Sequence, residues 1–456
     1  MKLRELLAGV PICAGSADLE MEISGVSYDS RTTRPGDLFV AMTGFATDGH
    51  QYIAKALANG AAAVLCQRRP AEACAYVQTE DSRRALAVIG GNWFGHPAEE
   101  MTMIAVTGTC GKTTTTYLLK AILEQARGAK VGLIGTNQNM IGSDVIPTER
   151  TTPESFEVQK LFREMADAGC THVVMETSSH ALYLDRVYGV RYDVGIFTNL
   201  TQDHLDFHKT MENYCDAKAI LFRNCVAGVV NADDPWTPRL LKDADCKVMT
   251  YAEQADADLR AENIVLSAGG IAFDAVSGAE RIPIRVNIPG GFMVYNTLDV
   301  LGAALALGIS LEESAAVLAK VPHVKGRVEI VPTPGKDYTI LIDYAHTPDS
   351  MVNVLQTVKE FAKGRTVAVF GCGGDRDRTK RPLMGKAAAD WSDFAVVTTD
   401  NPRTEEPEAI IADILPGFDG SATPYHVVVD RIEAIHWAMD HAEKDDVIVL
   451  CGKGHE

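Results

Sequence analysis

The sequence predicts an α/β protein of three domains, with a central P-loop-type, mostly parallel sheet flanked by an N-terminal α/β domain and a C-terminal Rossmann-like domain. Three observations predict it. The chain has 456 residues, too many for one typical core. An apolar strand, a glycine loop and a helix follow one another without a break across residues 103–116. Strand-like runs alternate with helical ones through the middle and last thirds, and each strand of the last third ends in a polar or glycine-rich loop.

Composition narrows the partners. An apolar content of 46% with 23% charged residues is that of a soluble globular protein. Acidic residues outnumber basic ones by 61 to 43, for a net charge of −18, which argues against nucleic acid or an anionic membrane as partner. A small anionic substrate then needs local clusters of Lys and Arg. Ten cysteines are scattered without a C-x-x-C pair, which reads as reduced thiols in a cytoplasmic protein and not as a disulfide or zinc framework. Met1–Leu7 is too weakly apolar for a signal peptide, and no apolar run reaches membrane-spanning length.

Residues 1–98 form the first expected domain. Strands are expected at Glu22–Tyr28, Asp37–Met42, Ala61–Cys66 and Tyr76–Thr79, with helices at Tyr52–Ala58 and Ser82–Phe94. Asp29-Ser30-Arg31 and Thr43–His50 are polar loops beside strands, suited to gripping a ligand or to being plain surface turns. His96-Pro97 breaks the chain before the next strand.

Residues 99–322 form the second. Strands are expected at Met103–Val106, Lys130–Ile134, His172–Met175, Asp193–Phe197 and Gly228–Val230, with helices between them. Asp256–Ile288 reads as short alternating strands and glycine turns, a small antiparallel appendage. Tyr295–Gly308 reads as a strongly apolar helix with Asn296 near its start.

Residues 323–456 form the third. Strands are expected at Tyr338–Ile342, Thr366–Phe370, Phe394–Thr398 and Val447–Leu450, with helices such as Pro348–Phe361 and Arg431–Glu443. The loops that follow are Asp343-Tyr-Ala-His346, Gly371–Asp375, Asp400-Asn-Pro-Arg403 and Gly452–Glu456, and an open parallel sheet lines such loops along one edge. Gly371-x-Gly373 is not a dinucleotide fingerprint, because position 376 is Arg.

The chemistry begins at Gly108-Thr-Cys-Gly111-Lys112-Thr113. Glycines let backbone N–H groups face inward, the helix N-terminus adds partial positive charge and Lys112 a full one, which makes a socket for nucleotide phosphates with Thr113 placed to hold Mg²⁺. The full P-loop pattern needs Gly at 106, where this chain has Val106. Glu176 ends a central strand, where such sheets hold Mg²⁺. His204 follows the next strand and is suited to complete a Mg²⁺ site. His204 and His208 alone do not make a zinc site. Lys218, on an expected helix Asn213–Phe222, would be pressed to lose its charge if buried beside metal ions.

These residues amount to a resemblance. Gly108–Thr114, Glu176–His180, Thr198–Asp206, Asp216–Phe222, Tyr295-Asn296, Gly326–Glu329, Asp343–Pro348 and Gly452–Glu456 occur in the order seen in Mur ligases, and the whole chain resembles that family. The resemblance implies an ATP- and Mg²⁺-dependent amide ligase of peptidoglycan biosynthesis, with UDP-N-acetylmuramoyl-L-alanyl-D-glutamate as substrate, activated as an acyl phosphate before an amino acid's amine attacks. It implies that Gly108, Thr109, Cys110, Gly111, Lys112, Thr113 and Thr114 hold the nucleotide with Asn296, Arg327, Asp343 and His346. Mg²⁺ would be held by Thr113, Glu176, His204 and Lys218, the lysine being carbamylated. Thr151, Thr152, Ser178 and Arg186 would bind the dipeptide arm, and Ser30, Thr47 and Asp48 the uridine end. A monomer is the expected state, with neither nucleic acid nor membrane insertion.

Three features depart from the family pattern. Cys110 stands where Asn is usual, and Leu184 where some relatives have Gln. The sequence also stops inside a motif at Glu456, so a further C-terminal segment is expected. For the amino acid, Asp400-Asn401-Pro402-Arg403 points to meso-diaminopimelate over L-lysine, because a guanidinium can clasp the extra carboxylate with two parallel hydrogen bonds. The resemblance adds Arg381, Gly452 and Glu456 at the other charged end. The bland alternative for Arg403 is a surface pair with Glu405 or Glu406. A folylpolyglutamate synthetase, a P-loop switch and a catalytically dead binding protein are the competing classes.

Overall fold

The computed structural model describes residues 1–44, 47–267, 269–321 and 324–454. The chain divides into two compact units, Met1–Ile104 with Lys130–Asp193, and Ala105–Ala129 with Val194–Glu456.

The first unit opens with a five-stranded sheet in the order Ala14–Gly15, Tyr76–Gln78, Ala63–Cys66, Asp37–Val40, Gly25–Ser27. Its neighbours run parallel except for Ala14–Gly15. The helix Ser82–Phe94 has the bounds its sequence predicts. Asp81 caps it by accepting from the N–H groups of Arg83 and Arg84, and Gly95 ends it at φ +72°, a conformation cheap only for glycine. The same unit holds His172–Glu176 parallel to Val131–Ile134, followed by an antiparallel hairpin, Asn139–Ile141 and Asp144–Ile146. The hairpin is absent from the sequence expectation, because its strands are only three residues long.

In the second unit, Cys225–Asn231, Lys247–Ala252 and Leu259–Ser267 are parallel neighbours. Gly270–Ser277 and Glu280–Val286 then continue the same sheet antiparallel. This corrects the expected appendage: the strands have nine, eight and seven residues and extend the sheet, through a strand at 247–252 that the sequence reading lacks. The helices Lys112–Arg127 and Phe292–Ala306 belong to this unit. Lys218 lies on Met211–Ala219, and a separate 3₁₀ turn, Ile220–Arg223, replaces the expected last turn.

The C-terminal sheet runs Glu329–Val331, Thr339–Asp343, Val447–Cys451, Thr366–Phe370, Phe394–Val397, Tyr425–Val427. All pairs are parallel except the first. One core, with Met351, Leu355, Met384 and Ile410, packs three helices on one side, and Ala434 and Ala438 of Arg431–Asp440 belong to a second core that includes Ile340 and Val369. Among the described residues no helix is long and apolar enough to cross a membrane.

Candidate active site

The glycine loop has the shape its residues dictate. Gly108 and Gly111 sit at φ +150° and +88°. A Cβ on Gly108 would lie 1.8 Å from Thr198 Oγ1, and one on Gly111 would lie 2.4 Å from Asn296 Oδ1, so neither position admits a side chain. Lys112 Nζ donates to the carbonyls of Gly108 and Thr109, both at 2.9 Å. Lys218 Nζ donates to the same Gly108 carbonyl at 2.8 Å and lies 4.3 Å from the Tyr214 ring centroid. Lys218 is 1% exposed. Burial, and then the Lys112 ammonium, hold its pKa well below that of an ordinary lysine.

A cavity of about 310 Å³ opens on this loop. Cys110, Gly111 and Thr114 line it together with Asn296, Arg327 and Asp343. Arg327 donates to Thr113 Oγ1 at 2.8 Å and stacks its guanidinium on Tyr344. Asp343 is anchored by the N–H groups of Val328 and Ala345, both at 2.8 Å. Asn199 and Tyr295, from motifs already singled out, and Asn231, which the sequence reading lacks, also line the cavity.

Beside the loop is an ionic cluster. Asp203, 4% exposed, lies 3.4 Å from His204 Nε2, 3.5 Å from Lys380 Nζ and 3.9 Å from His346 Nε2. Burial raises the Asp203 carboxyl, but His204, Lys380 and His346 outweigh it and hold the pKa well below the usual range. Asp203 and Lys380 were not singled out from sequence; a solvated Lys and Asp 177 residues apart carry no signal of pairing.

At the C-terminal sheet edge, Arg403 sits at φ +54° and donates to the carbonyls of Gly374 at 2.9 Å and Asn401 at 3.2 Å. Its surface pair with Glu405 or Glu406 is not among the described ion pairs. Glu405 is instead taken by Arg381 at 2.7 Å and Arg378 at 2.7 Å. Those bonds, Arg381's foremost, bring its pKa down to about 2. A Cβ on Gly374 would lie 1.9 Å from the Pro402 carbonyl, which fits the two loops together. Lys453 donates to Asn401 Oδ1 at 2.9 Å, and a Cβ on Gly452 would meet Asp400 at 2.9 Å. Glu456 lies outside the described residues.

In the first unit, Glu176 is 1% exposed and accepts from the Thr136 N–H at 2.9 Å and Thr136 Oγ1 at 2.8 Å. Thr151 meets Thr136 Oγ1 at 3.0 Å. Thr152 Oγ1 donates to the Glu176 carbonyl at 2.9 Å, accepts from the Ser178 N–H at 3.1 Å, and its carbonyl receives Arg186 at 3.1 Å. These five expected residues are therefore one cluster. Asp48 is bound by His50 Nδ1 at 2.6 Å and by Arg68, Thr47 meets the Tyr52 hydroxyl at 3.0 Å, and Ser30 is buried. Leu184 is 8% exposed.

Three family models match in order: Mur ligase family, catalytic domain, at 22–92; Mur ligase middle domain at 106–304; and Mur ligase, glutamate ligase domain, at 326–454. A UDP-N-acetylmuramoyl-L-alanyl-D-glutamate–2,6-diaminopimelate ligase of Clostridium botulinum is 49% identical, over 95% of this chain and 91% of its own. The chain belongs to the Mur ligase family. A Clostridium acetobutylicum ligase of the same description, numbered 1, is 48% identical over 100% of this chain and 95% of its own. A solved structure of such a ligase shares 32% identity with a TM-score of 0.71, covering 100% of this chain and 94% of that one.

Within this Mur ligase, Arg381 has a different place from the one expected of it. Its side chain is 0% exposed and its guanidinium is shared among Glu405, Asp413 at 2.8 Å and the Gly373 carbonyl at 3.3 Å. It braces the Arg403 loop from beneath and has no face to offer a ligand. Arg376, in the exposed turn after Gly371–Asp375, has no ion-pair partner among the described residues and lies near Gly373, as Arg403 does. Breaking a buried pair strands the partner charges, so Arg381→Ala is expected to cost about 3 kcal/mol of stability. Thermal unfolding checks this, and an unchanged midpoint would contradict the bracing role.

Proposed function

We propose that this Mur ligase joins 2,6-diaminopimelate to UDP-N-acetylmuramoyl-L-alanyl-D-glutamate at the expense of ATP. The observation that carries the reading is near-half identity, along the whole chain, to ligases of that description. The substrate carboxylate is activated by phosphorylation and the amino acid's amine displaces the phosphate.

The nucleotide binds at Gly108–Thr114 with Asn296, Arg327 and Asp343, which line one cavity with the loop. His346 supports that site beside Asp203. Thr113, His204 and a carbamate on Lys218 would hold Mg²⁺, and Glu176 is assigned to the metal by resemblance alone. Among the described residues no three His, Cys, Asp or Glu side chains are placed to hold a metal ion. When bound, Mg²⁺ neutralises phosphate charge. Thr151, Thr152, Ser178 and Arg186 would receive the dipeptide arm, and Ser30, Thr47 and Asp48 the uridine end.

Arg403 with Asp400, Asn401 and Pro402 would take the distal carboxylate of diaminopimelate, and Gly452 and Glu456 would serve its other charged end, with Arg376 in the place first given to Arg381. Among the described residues the Arg403 guanidinium is held by two backbone carbonyls and pairs with no carboxylate. That charge favours a ligand carboxylate and repels the ammonium end of lysine. The test is phosphate release from ATP with the UDP-dipeptide and either amino acid. Arg403→Ala is expected to lose roughly 2–5 kcal/mol in kcat/KM for diaminopimelate and little for lysine. A native preference for lysine, or a variant that keeps full discrimination, would sink this assignment and leave the ligase reading intact.

A further inference from the structure

We propose that Asp299 is a positioning residue of the nucleotide site, clasping the helix Phe292–Ala306 to the phosphate-loop helix through Thr115 so that Asn296 is kept against Gly111. The inference rests on the reading of this loop as the ATP site. It starts from a carboxyl that the ligase mechanism does not use. Asp299 is 0% exposed, and both its oxygens are reached by Thr115 Oγ1, at 3.1 and 2.9 Å.

The spacing explains why this clasp bears on the nucleotide. Asn296 and Asp299 are three residues apart on one helix, and Gly111 and Thr115 four apart on the other, so each pair shares a helix face. Two rungs result. In the first, Asn296 Oδ1 would lie 2.4 Å from a Cβ on Gly111, which is close approach with no side chain between. In the second, one turn on, Asp299 meets Thr115. Loosening the second rung lets the first open, and Asn296 and Gly111 both line the nucleotide cavity.

A carboxylate would be a poor clasp here. No Lys or Arg among the described residues pairs with Asp299, and burial raises its pKa well above the ordinary value against the smaller effects of Thr115 and the Val300 N–H. Its titratable surroundings are of the same kind. Tyr251, from the neighbouring strand, is fully buried and feels Asp299, Asp234, Tyr295 and Asp233, all neutral or negative. A neutral acid suits this buried place without a described cation partner, and an amide can replace it. In the unfolded chain it ionises near pH 4. Stability from this group is complete below that pH and is lost as pH rises toward the folded pKa.

The experiment compares native enzyme with Asp299→Asn, Asp299→Ala and Thr115→Val. It measures kcat, KM for ATP and for the amino acid, Kd for ADP, and the unfolding midpoint from pH 5 to 8. Asp299→Asn is expected to keep native KM and kcat and to lose the decline in midpoint with rising pH. Asp299→Ala and Thr115→Val are expected to raise KM and Kd for nucleotide by roughly 10- to 100-fold, as misplacement of a binding group does, with KM for the amino acid unmoved. The double variant should be no worse than either single one. An Asn variant as impaired as the Ala variant would overturn the neutral clasp, and an Ala variant with native nucleotide affinity would overturn the positioning role. Should Asp299→Ala fail to fold, Thr115→Val removes the same contact and decides the matter. If native enzyme fails to turn over ATP with the ligase substrates, the ligase reading fails, while ADP affinity and the pH profile still judge Asp299.

Discussion

Lys112→Ala is expected to fold and to lose ligation by roughly 10²–10³-fold or more, the scale on which a charge-stabilising donor acts in a transition state. The side chain curls back over its own loop, with Nζ 2.9 Å from both the Gly108 and Thr109 carbonyls. That tether keeps the cation at the loop whose N–H groups would receive phosphate. Deleting it leaves the backbone socket, so nucleotide affinity should fall less than turnover does. It also removes the neighbouring charge that, after burial, depresses Lys218. Lys218 would then protonate more readily, and an ammonium cannot add CO₂, so the variant loses a second function with the first. Steady-state kcat and KM for ATP, with unfolding as control, check the result. Substantial remaining ligation would overturn this loop as the ATP site.

What could be read in the chain follows from how far apart the interacting residues lie. The phosphate loop was legible because strand, glycines and helix are contiguous, and the conformations of Gly108 and Gly111 are those such a loop requires. Four of the six C-terminal strands were legible because apolar runs of four or five residues between helices have few other places to go, whereas Glu329–Val331 and Tyr425–Val427, three residues each, were not read. Lys247–Ala252 was not, because its first four residues are exposed or half-buried and its pairing is decided by Cys225–Asn231, twenty positions back.

Charge partners were less legible still. Arg381 and Arg403 look equally available in the sequence. In the structure one is buried under Glu405 and Asp413, and the other, among the described residues, is held only by carbonyls. Asp203 lies inside a recognised motif, but its environment is set by Lys380 and His346 from the C-terminal part of the chain. Asp299 sits in a run so apolar that its acid reads as an interruption, and only the Thr115 hydroxyl from another helix gives it a purpose.

Lys218→Ala is expected to be nearly inactive, by roughly 10²-fold or more, and to be partly restored by small carboxylic acids. The structure makes the lysine a poor cation. It is 1% exposed, it has the Gly108 carbonyl at 2.8 Å and the face of Tyr214 near it, and a second ammonium, Lys112, shares that carbonyl. Burial and that neighbour lower its pKa well below the ordinary value, so the free amine forms more readily than in an ordinary lysine. A free amine adds CO₂ to give a carbamate and a proton, which turns an unfavourable ammonium into an anion beside Lys112. Formate or acetate diffusing into the space left by Lys218→Ala would supply a carboxylate in the same place. Lys218→Arg cannot, because a guanidinium stays charged and does not carbamylate. Activity with and without added carboxylate checks the rescue, and the mass of the intact protein prepared under CO₂ checks the adduct. A Lys218→Arg variant with native activity would exclude the carbamate and leave this residue as a cation.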